Sequence, residues 1–198
     1  PARGFPHPEM NISQRLLLSL SLALAALLVV GLGGIWQLRQ SEQRFEYFND
    51  NTLGSVRTLG DLKDSVNAMR IALYQHAMSD DLKTKTDNEA VLTRADADFE
   101  AIDARNARDD ISDDTDSKML EADRAAFKRY RDARPALLQK SHDNDYQTVQ
   151  ELLLRGEVHQ ASLALRQALD AHIAYNSKLG EQAVADNRAQ YRTAVQVF

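Results

Sequence analysis

The sequence predicts an all-α protein, an antiparallel up-down-up-down four-helix bundle preceded by one transmembrane helix. Three observations carry that expectation. An uncharged run of 23 residues, Leu16–Leu38, lies between Arg15 and Arg39. Beyond it, apolar residues recur at alternating steps of three and four, the period of a helix with one buried face. No β-branched run alternates with period two, and the 8 glycines and 4 prolines in 198 residues are too few to punctuate many strands.

As a helix the apolar run is about 34 Å long, enough to cross a hydrocarbon core of about 30 Å. A cleaved secretion signal has a shorter apolar core and a small-x-small cleavage site. This run closes instead in Gly-Gly-Ile-Trp-Gln-Leu, with Trp36 where an interfacial aromatic belongs. It therefore reads as a retained anchor. Ser19–Ala23 and Ser21–Ala25 have the small-x-x-x-small spacing that permits close helix approach. Residues 1–9, PARGFPHPE, read as unstructured leader, and Met10-Asn-Ile-Ser-Gln-Arg reads as a natural start. The expected organisation is a cytoplasmic segment 1–15, a first transmembrane helix 16–38, a periplasmic bundle 39–192, and at 193–198 the start of a second span.

The chain has no cysteine, which excludes disulfides, thiolate metal sites and c-type haem attachment. A net charge of −5 argues against nucleic-acid binding, which needs a basic footprint.

The first bundle helix is expected to run unbroken from the membrane to about Ser79, roughly 60 Å. Its seam is Leu59, Leu62, Val66, Met69, Leu73 and His76, extended back through Val56, Thr52, Phe48 and Phe45. Ser79-Asp80-Asp81 supplies capping side chains. The second helix is expected over 84–107 with Val91, Ala95, Phe99 and Ile102 on one stripe, and the acidic stretch Arg108–Ser117 reads as a loop. The third is expected over 116–142, with Met119, Ala126, Tyr130, Ala133 and Leu137 facing inward. Pro135 is expected to kink or end it. The fourth starts near Tyr146, carries Val149, Leu153, Leu165, Leu169, His172, Asn176, Leu179 and Ala183, and is open to interruption at Gly156. Apolar character returns at Thr193–Phe198.

The start Met10-Asn-Ile-Ser-Gln-Arg-Leu, the span closing in Gly-Gly-Ile-Trp-Gln-Leu, and the patterns Phe127-x-x-Tyr130-x-x-x-Arg134 and Leu165-x-x-x-Leu169-x-x-x-x-x-Tyr175-Asn176 resemble the sensor region of bacterial methyl-accepting chemotaxis proteins. The resemblance covers 10–198 and rests on helix pattern and order. Histidine kinases and cyclic-dinucleotide enzymes carry the same kind of bundle and are the alternative. The resemblance implies a periplasmic sensor in the inner membrane and a homodimer with its first helices packed along the axis. It also implies a small organic acid or amino acid as ligand, and helix displacement that reaches cytoplasmic signalling partners.

Carboxylates are best held by arginine, whose planar fork makes two charge-assisted hydrogen bonds. Arg70, beside Met69 in the first-helix seam, is the leading candidate, with Lys63 one heptad earlier; the plainer reading makes both solvated flanking charges. Tyr130 and Arg134, four apart on one face, look like ligand contacts of acid-binding sensors, and otherwise are a core-edge tyrosine and a surface arginine. Arg131 is adjacent. His76, His172 and Asn176 are inward polar positions that fit a ligand or a satisfied core. Glu-x-x-His pairs of di-iron bundles are absent, and Glu157-Val-His159 has the wrong spacing. No catalytic residue, metal or cofactor is expected. A membrane-anchored bundle without a ligand is the remaining reading.

Overall fold

A computed structural model describes residues 11–47 and 53–197. The leader 1–9 and the seam positions Phe48 and Thr52 lie outside the described residues. The described residues form helices and connecting turns. Two compact units are present, Pro1–Phe45 and Glu46–Phe198.

In the first unit, α1 (Ile12–Tyr47) begins on a cap in which Asn11 N–H donates to Gln14 Oε1 at 3.1 Å and Ile12 N–H donates to Asn11 Oδ1 at 3.0 Å. Ile12–Gln40 is long and apolar enough to cross a membrane, and none of its apolar window is buried within the protein. Among the described residues it is the one such helix.

The second unit is built from α2 (Gly54–Met78), α3 (Leu82–Asp109), α4 (Asp114–His142), α5 (Tyr146–Leu154) and α6 (Glu157–Val197). The chain runs up α2, down α3, up α4 and down α5–α6, with α2 packed chiefly on α3 and α4 chiefly on α6. The core is the α2 seam read from the sequence, Leu59, Leu62, Val66, Met69 and Leu73, closed by Phe99, Phe127, Tyr130, Leu137, Leu165 and Leu169.

Aspartates start three of these helices by accepting backbone N–H groups that the first turn leaves free. Asp81 accepts from Thr84 N at 2.8 Å, Asp113 from Thr115 N at 2.8 Å, and Asp145 from Thr148 N at 3.2 Å. The acidic stretch expected as a loop is therefore mostly helix, and only 110–113 connect α3 to α4. Asn144 turns the chain between α4 and α5 with φ of 55°, which asparagine tolerates better than most residues.

Three further expectations are corrected. Pro135 does not end α4, which stays helical to His142; the proline is exposed, where the carbonyl it leaves unpaired can reach water. Val91 is exposed, and the α3 seam passes through Leu92 instead, flanked by buried Lys85, Asn88, Asp103 and Asn106. Ala183 is exposed. The fourth strut does break at Gly156, whose N–H donates to Glu151 O at 3.1 Å and Leu152 O at 3.2 Å. A Cβ there would lie 2.6 Å from Leu152 Cα. Gly156→Ala is accordingly expected to destabilise the bundle by about 1–3 kcal/mol, seen as a lower urea midpoint at unchanged slope.

α6 remains helical to Val197, and the side chains expected to begin a second span, from Thr193 on, lie outside the described residues.

Candidate functional site

Where α2 passes α5 and α6, the side chains leave a cleft of about 70 Å³. Its polar lining is Arg70 and Tyr74 from α2, Tyr130 from α4, and His159, Ser162 and Arg166 from α6; the rest is leucine and valine. No carboxylate lines it. Among the described residues neither Arg70 nor Arg166 has an ion-pair partner. The cleft thus holds two uncompensated guanidinium groups at its wall.

Tyr130 is fully buried, and its hydroxyl has no hydrogen-bond partner. Such a group is rare, because an unpaired buried hydroxyl costs about 1–3 kcal/mol. Burial pushes the Tyr130 phenol up to about 12, against the opposing pull of the Arg134 and Arg70 charges, so it stays a neutral donor. Arg134 lies with its guanidinium carbon 5.2 Å from the Tyr130 ring centroid and is itself buried. Its Nη2 donates to both carboxylate oxygens of Asp96 on α3, at 2.8 and 2.6 Å.

A family model described as a four helix bundle sensory module for signal transduction matches residues 9–191. The chain belongs to that family. No curated protein and no solved structure gives a significant match.

Within this sensory module the sequence-derived candidates fall into three places. Arg70 and Tyr130 line one cleft. Arg134 backs Tyr130 but turns its charge to Asp96. Lys63 pairs with Asp170 of α6 at 2.5 Å, and Arg131 pairs with Glu100 of α3 at 2.5 Å while lying 5.4 Å from the Phe127 ring centroid.

His76 lies at the upper end of the module, where α2 meets α3 and α4. Its Nδ1 is 2.9 Å from Ser141 Oγ, and its Nε2 is 3.0 Å from Glu89 Oε1. Burial lowers the His76 pKa, outweighing the carboxylate of Glu89.

His172 and Asn176 belong to a buried cluster at the opposite end. His172 Nε2 is 2.6 Å from Asp116 Oδ1, its Nδ1 is 2.6 Å from Asp123 Oδ2, and Asn176 Nδ2 donates to Asp116 Oδ1 at 2.7 Å. Burial by itself would lower the His172 pKa, but hydrogen bonds to Asp116 and Asp123 and their charges raise it to about 9.

Sequence reasoning missed Tyr74, His159, Ser162 and Arg166. One signal was present. Arg166 directly follows buried Leu165, as Arg70 directly follows buried Met69, so both arginines flank a seam residue.

Proposed function

We propose that the module is the periplasmic sensor of an inner-membrane chemoreceptor and that the α2–α6 cleft takes the carboxylate of a small organic acid or amino acid. The observation that carries this reading is the pair of unpaired arginines beside an unpartnered buried tyrosine hydroxyl, with no acid in the lining. An anion there gains charge-assisted hydrogen bonds and relieves the tyrosine. The cleft has room for a carboxylate headgroup rather than a whole metabolite. Arg70, Arg166 and Tyr130 are the contacts, and Arg134 holds the tyrosine ring. The role is binding, not catalysis.

Because the cleft joins α2 to α6, a ligand that prefers one offset of the two helices shifts their balance. Only that difference in affinity can carry a signal along α6 to cytoplasmic partners.

The chemoreceptor reading includes a homodimer. Leu62 and Met69 cannot form its axis, since both point into their own bundle. Ile71, Tyr74 and Met78 form an exposed apolar stripe on α2, with Met78 82% exposed, and a second copy is the proposed cover. Cysteines at Ile71 or Met78 should crosslink between subunits where cysteines at Leu62 do not.

The test is a thermal-shift screen of the whole chain in detergent against organic acids and amino acids. A ligand at a hundred times its dissociation constant contributes about 2.7 kcal/mol, raising the melting temperature by roughly 5–10 °C. Arg70→Ala should weaken a hit about tenfold or more. Tyr130→Phe should weaken binding yet stabilise the free protein by about 1 kcal/mol, because it removes an unsatisfied hydroxyl. Hits unaffected by either change, or no hit among the acids, would overturn the reading.

A further inference from the structure

His76 on α2, Glu89 on α3 and His142 at the end of α4 are 13 and 53 residues apart in sequence yet meet at the upper end of the bundle. Their ligand atoms all lie within 4.8 Å of one another. His142 Nε2 is 2.6 Å and His76 Nε2 is 3.0 Å from the same oxygen, Glu89 Oε1. The two imidazole rings meet edge to face, with centroids 5.0 Å apart.

Hydrogen-bond accounting fixes the buried ring. Ser141 Oγ donates its proton to the His76 carbonyl at 3.0 Å, so towards His76 Nδ1, 2.9 Å away, that oxygen can only accept. Nδ1 therefore carries the hydrogen, and Nε2 of the neutral ring turns a lone pair toward the Glu89 carboxylate 3.0 Å away, two acceptors with no proton between them, a contact that a cation would relieve. His142 Nε2, 2.6 Å from the same oxygen, donates its hydrogen to the carboxylate in the metal-free protein, and moving that hydrogen to Nδ1 would turn a second imidazole lone pair to the same point. A serine that orients a histidine through its far nitrogen is what a metal-ligating histidine needs from its surroundings.

We propose that His76, Glu89 and His142 form a binding site for a divalent transition-metal ion of the zinc or nickel class. Two imidazoles and one carboxylate suit such an ion better than calcium or magnesium, which prefer all-oxygen shells. The two imidazole nitrogens lie 2.6 and 3.0 Å from the Glu89 oxygen and all three donors lie within 4.8 Å of one another, so shifts of roughly 1 Å or less bring them to the spacing of about 3.4 Å between ligands held about 2.0–2.2 Å from a tetrahedral ion. Three protein ligands leave an open position, and Glu89 and His142 are each about one-third exposed, so the ion exchanges with solvent. Lys85 is the nearby cation. Its ammonium is turned to the Ser141 carbonyl and to Asn144 Oδ1, 2.9 Å away, where it limits affinity without occupying the site. The ion would join three helices at one end, and its ligands share no residue with the α2–α6 cleft.

The whole chain in detergent, carrying no histidine tag, is titrated calorimetrically with zinc chloride, nickel chloride, calcium chloride and magnesium chloride. One saturable zinc or nickel site per chain is expected, with two imidazoles in the X-ray absorption spectrum and a raised melting temperature. His142→Ala and Glu89→Gln, both at partly exposed positions, should each weaken binding more than about tenfold while the metal-free melting temperature stays within a few degrees. Ser141→Ala, which frees the ring without removing a ligand, should weaken it roughly 10- to 100-fold. Equal affinity in His142→Ala, equal affinity in Glu89→Gln, or calcium binding as tight as zinc would each overturn the proposal.

Discussion

His172→Ala should lower the stability of the bundle by about 3–5 kcal/mol, because it leaves Asp116 and Asp123 buried without their cation. All three side chains are essentially inaccessible. Both ring nitrogens face carboxylate oxygens at 2.6 Å, so each must donate, and the ring is an imidazolium. The pH dependence follows from the sign of the shift. A histidine whose pKa rises from 6.5 unfolded to about 9 folded contributes fully below about 6.5 and loses that contribution as the pH rises through about 9. The two aspartates act with opposite signs. For Asp116, burial is outweighed by hydrogen bonds from His172, Ser112 and Asn176, and the pKa falls; it stabilises above its unfolded value of 3.8 and less as acid protonates it. Asp123 is held above that value chiefly by burial, so its contribution declines as the pH rises past 3.8. Urea melts of the whole chain from pH 6 to pH 10 should show falling stability across the alkaline half of that range. The triple change His172→Leu, Asp116→Asn, Asp123→Asn should recover most of the loss and flatten the alkaline slope. A single His172→Ala change costing under 1 kcal/mol would mean that the cluster is not a charged unit.

The contrast between α2 and α3 explains what could be read without coordinates. In α2 every buried position from Leu59 to Leu73 is apolar, with polar Ser55, Thr58 and His76 only toward its ends, so the seam is visible in the letters. In α3 the inward positions include Lys85, Asn88, Asp103 and Asn106, and a stripe drawn from apolar residues alone drifts to Val91. Lys85 and Asp103 take their partners from outside α3, Lys85 the Ser141 carbonyl and Asp103 the Arg124 Nε at 2.8 Å, and no spacing rule within α3 reports those. The aspartates of 109–116 misled for a related reason. The same residue type that breaks helices also starts them, and Asp113 does the latter. At the cleft, Arg70 and Tyr130 were legible as an arginine beside a seam and a tyrosine on one. Arg166, His159 and Ser162 required knowing that α6 passes α2 at that height, which is a matter of register. The same holds for His76, Glu89 and His142, which only folding from three helices brings together.

Phe99→Ala should cost about 3–5 kcal/mol, a loss comparable to that of the buried histidine but with no pH dependence. Phe99 is the largest apolar side chain α3 contributes to the core, beside Leu92 and Ala95. Its ring stacks on Phe127 of α4, with centroids 3.9 Å apart and planes 12° from parallel. α3 is also held by Leu92 and Ala95 in the core, by the hydrogen bonds of Lys85 to the Ser141 carbonyl and Asn144, and by ion pairs, among them Arg105–Asp61, Arg131–Glu100 and Arg134–Asp96. The first two are substantially exposed, and pairs of that kind contribute at most about 1 kcal/mol each. If the ring pair holds α3, Glu100→Gln should be nearly silent, while Phe99→Leu, which refills part of the volume, should recover a substantial fraction of the alanine loss. Urea midpoints at pH 7 separate the possibilities. A cost for Phe99→Ala near that of Glu100→Gln would put the weight on the ion pairs instead, and α3 stability would then fall steeply with added salt. The expected result leaves α3 clamped at mid-height by one aromatic pair between polar clusters at either end of the bundle.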